Sequence, residues 1–317
     1  MTTPTAVCVG EALIDFVAQT RSADIGASEL FRRSAGGAVA NVAVGIARLG
    51  GRAGFCGTLG RDAFGRFLLR TLEEERVDTS GVRLVDTLTT LAFVARGDAG
   101  ARDFAFVRQP GADSCYSEAD VAALTLERNS ILHFGGVLLS SEPARSACLF
   151  AARVARQRGA LVTFDPNVRP SLFASALEMR AALRAGCALA DLVKLSDEDL
   201  QALDVRRENA EQLLGANTVA VIVSRGEDGC SYFTRDGGGD VASPAIEALD
   251  TTGAGDAMMA AIIWRLATAH AGRISLSSIA DAARAGCAAG AAACLIEGAI
   301  PSLPTPERLE AMLSRVP

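Results

Sequence analysis

The sequence is poor in lysine, histidine and large aromatic rings. Its 317 residues include one lysine (Lys194), two histidines, one tryptophan and two tyrosines. Lys194 is not part of a GxxxxGK pattern, which excludes a Walker A phosphate loop. No HExxH motif and no cluster of His and Cys is present, which argues against a transition-metal site built by the protein.

The sequence also lacks the patterns of disulfide-rich, membrane-spanning and secreted proteins. None of the eight cysteines forms a CxxC pair, so we expect reduced core cysteines of a cytoplasmic protein. No apolar run approaches the ~20 residues that span a membrane, and no basic signal segment opens the chain. The net charge is −6 and the arginines are dispersed, so neither a membrane nor a nucleic acid is the expected partner.

The most informative segment is DTTGAGDAMMAAII at residues 250–263. The apolar run that follows Gly255 predicts a buried helix. The first turn of a helix has unpaired N–H groups and a partial positive charge, and glycines let an anion approach it closely. The segment therefore indicates either an anion site beside Asp256 or simply a capped core helix.

The order of apolar runs predicts one α/β domain covering residues 1–317. From about residue 118, compact strands alternate with helices, as in a parallel sheet covered on both faces. The segments 10–35 and 82–110 predict a small antiparallel sheet that would act as a lid, and residues 237–239 a hairpin turn. No GxGxxG pattern follows the first strand, which argues against a Rossmann dehydrogenase.

Two groups of polar residues suggest ligand contacts. Asp15, Gly36, Gly37 and Asn41 suit a polyhydroxylated small molecule, since Asp accepts from hydroxyls and Asn both donates and accepts. The alternative is that Asp15 is an ordinary turn residue and Asn41 lies on a helix surface. The second group follows three predicted strands, where open α/β sheets bind ligands, although loop polarity is the alternative. It comprises Asn167, Arg169, Ser196, Asp199, Ser224 and Arg225.

Two of these stretches together resemble a known family. The segment GGAVANVAVGIARLGG at 36–51 and the segment at 250–263 are similar to the two signature motifs of the PfkB, or ribokinase-like, carbohydrate kinases. The resemblance covers essentially the whole chain. It implies a three-layer α/β/α domain with a mostly parallel central sheet and a small β-sheet lid, and an enzyme that transfers the γ-phosphate of Mg-ATP to a sugar hydroxyl.

The resemblance also implies roles for individual residues. Asp256 would be the catalytic base, and Gly253, Ala254 and Gly255 would form the anion hole. The sugar would be bound by Asp15, Gly36, Gly37, Asn41, Arg108, Asn167 and Arg169. The nucleotide would be bound by Lys194, Ser196, Asp199, Ser224, Arg225, Gly226, Gly229 and Cys287. A monovalent cation, K⁺, would be held by Asp250, Thr252, Gly298 and Ser302.

The family pattern has one departure here. Many members carry Asn-x-x-Glu, linked to magnesium, where this chain has Ser196 and Asp199. The metal-linked role of the two residues is therefore open.

Four further segments are most similar to bacterial fructokinases: GEALIDF, FAFVRQPGAD, FDPNVR and VKLSDEDL. This similarity implies phosphorylation of the 6-hydroxyl of fructose, with Arg108 directed from the lid toward the sugar. A 2-keto-3-deoxygluconate kinase is the alternative within the family, and a non-catalytic sugar or nucleotide sensor is the alternative outside it. The family also implies a homodimer that pairs through the lids.

Overall fold

The computed structural model describes residues 5–22, 24–97, 102–108, 110–122, 124 and 126–317. Parts of the expected lid, at residues 23, 98–101 and 109, lie outside the described residues.

Strands and helices alternate along most of the described chain. The strands are β1 (Thr5–Val9), β2 (Leu13–Arg21), β3 (Phe31–Gly36), β4 (Arg52–Gly60), β5 (Asp78–Val85), β6 (Leu91–Arg96), β7 (Arg102–Val107), β8 (Ile131–Gly135), β9 (Leu161–Asp165), β10 (Leu192–Leu195), β11 (Ala220–Ser224), β12 (Cys230–Thr234) and β13 (Gly237–Val241). The helices are α1 (Ala38–Arg48), α2 (Ala63–Glu74), α3 (Glu118–Val121), α4 (Ala144–Gln157), α5 (Ala176–Leu189), α6 (Asp197–Leu203), α7 (Ala254–Ala269), α8 (Leu276–Ala293), α9 (Ala299–Ser302) and α10 (Pro306–Leu313).

The large sheet has the order β13-β12-β11-β10-β9-β8-β1-β4-β5. Its pairings from β11 through β5 are parallel, and the β11-β12-β13 end is antiparallel. Two hydrophobic cores flank the sheet, because successive side chains of a strand point to opposite faces. In β1, for example, Ala6 and Cys8 join one core, whereas Val7 and Val9 join the other.

The small sheet has the order β3-β2-β6-β7. It is mixed rather than antiparallel as expected, because β2 and β6 run parallel. Between β2 and β6 the chain passes through β3, α1, β4, α2 and β5, and it re-enters the small sheet in the direction of β2. The hairpins β2-β3 and β6-β7 are antiparallel.

Two local expectations differ from the structure. Residues 82–85, assigned to the lid, belong to β5 and form the edge of the large sheet. The glycines at 237–239 lie in strand β13, and the hairpin turn falls at Arg235 and Asp236. A side chain at Gly238 would lie 2.4 Å from the Tyr232 carbonyl oxygen, so this glycine permits close strand packing.

Helix starts follow the capping residues in the sequence. The Asp62 carboxylate accepts from two N–H groups of α2, and Ser175 and Ser275 cap α5 and α8 in the same way. Among the helices of the described residues, none is long and apolar enough to cross a membrane.

Candidate active site

Two cavities open where the parallel strands of the large sheet end. The first, of about 220 Å³, lies between the large sheet and the small sheet. Because Asp15, Asn41, Arg169 and Asp256 line it, we call it the polar cavity. The second, of about 720 Å³, lies between the chain segments that flank the hairpin β12-β13 and the helices α7 and α8, and we call it the apolar cavity.

The first turn of α7 separates the two cavities. Gly253 and Asp256 line the polar cavity, Ala254 lines the apolar cavity, and Gly255 lines both. Gly253 is the N-cap and has φ 80°, a conformation that favours glycine. The first N–H groups of a helix have no intrahelical partner, although the Ala254 N–H donates here to the Thr251 carbonyl at 3.3 Å. Because such a turn can hold an anion, we call this turn, at the boundary between the cavities, the anion site.

Asp256 is the buried carboxylate at that boundary. Its Oδ2 accepts a hydrogen bond of 2.8 Å from Asn41 Nδ2, which joins the two signature segments. Burial, followed by the negative charge of Asp165, raises the pKa of Asp256 to about 6, although Asn41, Lys194 and Arg169 oppose the shift. An acid with this pKa is ionised at neutral pH and can accept a proton.

The small sheet and the start of α1 form one wall of the polar cavity. Asp15, on β2, lines it together with Gly37 and Asn41. A side chain at Gly36 would lie 2.1 Å from Asp15 Oδ2, so this glycine leaves room for the carboxylate. Gly37 has φ 104°, and a side chain there would meet the Glu11 carbonyl oxygen at 2.5 Å.

The opposite wall follows β9 and β10. Asn167 and Arg169 line the polar cavity, and Arg169 Nη1 donates to Asn167 Oδ1 at 2.8 Å. The Arg169 guanidinium also lies 5.5 Å from the ring centre of Phe104, on the small sheet. A cation therefore bridges the two sheets across the cavity.

Lys194 lies beside the anion site. Its Nζ donates to Asp165 Oδ2 at 2.9 Å, and both side chains are almost fully buried. Burial alone would lower the pKa of Lys194. The negative charges of Asp165, Asp199 and Asp256 outweigh burial, so the pKa is raised above its usual value. Lys194 Nζ lies 3.2 Å from the position that a Cβ of Gly255 would occupy, so a positive charge faces the first turn of α7.

The apolar cavity contains four of the expected nucleotide-binding residues: Ser224, Gly226, Gly229 and Cys287. Gly229 has φ 91°, and a side chain there would meet the Val241 carbonyl oxygen at 2.0 Å. Cys287, on α8, has its Sγ 3.5 Å from Cys230 Sγ. The surrounding wall is mainly apolar, which is typical of small-molecule sites.

Other expected nucleotide-binding residues lie elsewhere. Within the described residues, Arg225, Ser196 and Asp199 line neither cavity. Arg225 pairs with Asp240 at 3.1 Å. Ser196 and Asp199 form the capping box of α6, in which Asp199 accepts from Ser196 and from the Val168 N–H. Their hydrogen-bonding groups stabilise local structure, and a contact with nucleotide or magnesium stays a prediction.

The residues expected to hold a monovalent cation converge behind the anion site. Asp250 Oδ1 accepts from the Thr252 N–H and Oδ2 from the Gly298 N–H, each at 2.9 Å. Ser302 Oγ donates to the Thr252 carbonyl at 3.5 Å. The loop before α7 is thus tied to the start of α9.

Arg108 is placed differently from the sequence expectation. Its Nε donates to Asp113 Oδ2 and its Nη1 to Ser140 Oγ, each at 2.8 Å. Within the described residues it does not line the polar cavity. The pair with Asp113 is buried, which gives Arg108 a structural partner, and its contact with sugar stays a prediction.

Several residues that line the cavities were not predicted from the sequence. Glu11 lines the polar cavity, and its position as one of two acids in an apolar segment was the available signal. Phe104 and Phe106 contribute from β7. The apolar cavity is also lined by residues 243–246 and Met258, for which no local pattern was available.

Comparison with known proteins identifies the family. Residues 3–306 match the pfkB family carbohydrate kinases. The chain belongs to this family. Its relatives include fructokinase-1 of Oryza sativa subsp. japonica, 38% identical over 94% of both chains. Another relative is the probable chloroplastic fructokinase-6 of Arabidopsis thaliana, 37% identical over 99% of this chain and 83% of that protein.

Solved structures of two kinases share the whole fold. The fructokinase of Vibrio cholerae O395, solved with fructose, ADP and calcium, has a TM-score of 0.87 and 30% identity, and the match covers 98% of this chain and 99% of that one. Aminoimidazole riboside kinase of Salmonella enterica, solved with its riboside and an ATP analogue, gives the same values. This pfkB protein is therefore a ribokinase-like, ATP-dependent sugar kinase, as the two signature segments predicted.

Proposed function

We propose that this kinase transfers the γ-phosphate of ATP to the 6-hydroxyl of D-fructose. The observation that carries the proposal is the first turn of α7, which separates a polar cavity from an apolar one and places Asp256 at their boundary. The relatives named fructokinase support the choice of sugar.

The proposed mechanism assigns the sugar to the polar cavity. Asp15, Asn41 and Asn167 bind its hydroxyls, and Asp256 accepts the proton of the attacking hydroxyl. Phosphoryl transfer depends mainly on positioning and on stabilisation of negative charge. The N–H groups at Gly253–Gly255 and the Lys194 ammonium supply that stabilisation beside Asp256.

The nucleotide is assigned to the apolar cavity. Its base lies against the aliphatic wall near Cys287, and its phosphates extend toward Gly255, which lines both cavities. We infer that the small sheet closes over the sugar and excludes water, which suppresses ATP hydrolysis.

Magnesium is expected to accompany the nucleotide. Among the described residues, no group of three or more His, Cys, Asp or Glu side chains is arranged to hold a metal ion. Mg²⁺ usually binds through substrate phosphates, water and one or two carboxylates, so a dedicated protein cage is not required. Asp165, whose Oδ1 is buried without a partner in the described structure, is the carboxylate best placed to contribute.

We also propose that K⁺ binds near Asp250, Thr252, Gly298 and Ser302. Oxygen atoms gather there behind the anion site, and oxygen ligands suit a hard cation. A K⁺ ion bound there would fix the loop before α7 and so orient the first N–H groups of that helix. Activity in K⁺ buffer should exceed that in tetramethylammonium buffer of equal ionic strength, and equal activity would exclude the cation role.

Two further properties are inferred. The edge strands β3 and β7 of the small sheet offer unpaired backbone groups, and Leu30 and Val107 beside them are exposed, which supports a homodimer through the small sheets. The free cysteines suit the reducing cytoplasm, which is the location that we propose.

The main alternative is a 2-keto-3-deoxygluconate kinase. Arg169 favours it, because an arginine that lines the polar cavity can bind a carboxylate. A non-catalytic sensor is disfavoured because Asp256 and the glycines of the anion site are all present.

A coupled ADP-release assay tests the proposal. Fructose, 2-keto-3-deoxygluconate, ribose, tagatose and adenosine should be compared as acceptors with Mg-ATP. Fructose is expected to have the highest kcat/KM. If 2-keto-3-deoxygluconate had the highest kcat/KM, the sugar contacts would be reassigned and Asp256 would keep its role as the base. If no acceptor gave ADP release, the result would support a non-catalytic sensor.

A further inference from the structure

Helix α1 begins without a capping side chain of its own. Its N-cap is Gly37, which has no side chain to accept from the first N–H groups. The acceptor comes instead from Glu11, at the end of β1: Glu11 Oε1 accepts from the Ala38 N–H at 2.8 Å. A carboxylate at a helix start is stabilised by the helix dipole, and the effect is largest where solvent is excluded.

The junction between Glu11 and α1 is tightly packed. A side chain at Gly37 would lie 2.5 Å from the Glu11 carbonyl oxygen. A side chain at Gly10 would lie 2.3 Å from Val39 Cβ. The start of α1 is therefore fixed in direct contact with the chain around Glu11, and neither side of the junction has space for adjustment.

Asn41 lies one turn into α1 and donates to Asp256 at 2.8 Å. Glu11 itself lines the polar cavity beside Gly37, Ala38 and Asn41. We propose that Glu11 is a positioning residue for sugar binding, which holds the first turn of α1 and thereby sets Gly37 and Asn41 in the polar cavity. This role rests on the proposed function of that cavity.

The charge state of Glu11 provides a specific readout. Oε2 is buried and has no partner among the described residues. Burial first, and then the charge of Asp113, raises the pKa of Glu11 to about 7, while backbone N–H groups including those of Ala38 and Val39 oppose the shift. The charged form is the stronger acceptor for these groups, so the sugar site should be ordered best above pH 7.

The neighbouring titratable groups do not replace Glu11 in this range. Asp113 is paired with Arg108. Cys148, on α4, has a pKa raised far above neutrality by burial and by Glu11, so it remains a thiol. Asp256, at the other end of the Asn41 hydrogen bond, has a pKa raised to about 6, and Glu11→Gln leaves that carboxyl in place.

The test compares Glu11→Gln with Glu75→Gln. Glutamine keeps an oxygen for the Ala38 N–H but carries no charge and does not titrate. Glu75 is the matched control, because it pairs with Arg48 at the opposite end of α1, with Arg48 Nε donating to it at 2.7 Å. Sugar KM, ATP KM, kcat and melting temperature should be measured for both variants from pH 5.5 to 8.5.

We expect Glu11→Gln to raise the sugar KM about tenfold at pH 8, with ATP KM and kcat nearly unchanged. In the wild type the sugar KM should rise as the pH falls through about 7, and in Glu11→Gln this dependence should disappear. Glu75→Gln should lower the melting temperature without changing the sugar KM. Glu11→Asp, which retains the charge, should restore part of the pH dependence.

Three results would overturn the inference. They are an unchanged sugar KM in Glu11→Gln, an equal rise of sugar KM and ATP KM, and the same kinetic change in Glu75→Gln. An inactive wild-type enzyme would overturn the proposed function and this inference with it, whereas an active wild type with an unaffected Glu11→Gln overturns the inference alone.

Discussion

The central residue of the site is Asp256, a carboxylate whose burial has a consequence for the pH dependence of the reaction. Its pKa is raised to about 6, and only the ionised form accepts a proton from the sugar. We therefore predict that kcat is constant above pH 7 and falls as the pH drops through about 6, approaching a tenfold loss per pH unit. A pH–rate profile at saturating substrates measures this, and constant kcat down to pH 4.5 would contradict it.

Single residues were predictable when they belonged to a specific pattern. Asp256 and Asn41 lie in the two signature segments, and the structure brings them within hydrogen-bonding distance. The hydrogen bonds of Arg108 to Asp113 and Ser140 were not predictable, because these residues come together only through the tertiary fold. Glu11 and Asp199 show a similar limit of prediction. Each accepts hydrogen bonds at a helix start, and the sequence alone does not distinguish this structural role from ligand binding.

At the scale of the element, the start of α7 must be held in one conformation. Gly253 has φ 80°, and a side chain there would lie 3.0 Å from Ala299 Cα. Gly50, after α1, is a matched control, because it has φ 83° and no atom within 4 Å of the Cβ position. Both alanine variants impose the same left-handed strain, but only one also displaces the anion site.

We predict that Gly253→Ala and Gly50→Ala each lose roughly 1–2 kcal/mol of unfolding free energy. Only Gly253→Ala should also lose activity, by about 100-fold in kcat, since small displacements of catalytic groups have effects of that size. Urea denaturation and steady-state kinetics measure the two quantities. Equal kcat in both variants would show that the α7 start is not part of the catalytic site.

Most elements of the large sheet follow directly from the hydrophobic periodicity. The helix predicted after Gly255 is α7, and the strands predicted between residues 131 and 224 are β8 to β11. Strand β5 was assigned to the wrong sheet because its half-buried residues alternate as in an edge strand of either sheet. Sheet membership depends on long-range pairing with β4, which no local pattern specifies.

At the scale of the whole molecule, the small sheet covers the polar cavity with one face and leaves β3 and β7 as edges. We predict a homodimer through these small sheets, with twice the chain mass of 32.8 kDa. Light scattering coupled to gel filtration at micromolar concentration measures this. A single species with the mass of one chain would exclude the dimer.

The three-layer architecture was predictable because the βαβ order and the two signature segments agree. The partition of the site into two cavities was not predictable from the sequence, because residues 243–246 and Met258 line the apolar cavity and belong to segments without a motif. The shape of the apolar cavity therefore depends on the tertiary fold and not on a single motif.

The most direct test of catalysis by Asp256 is the turnover of Asp256→Asn with fructose and Mg-ATP, measured by ADP release. Asparagine keeps the size of the side chain and cannot accept the hydroxyl proton. We predict a loss of kcat of roughly 10²–10⁴-fold with an unchanged melting profile and nearly unchanged binding of fructose. Turnover within a few-fold of the wild type would show that another group removes the proton and would contradict the proposed mechanism.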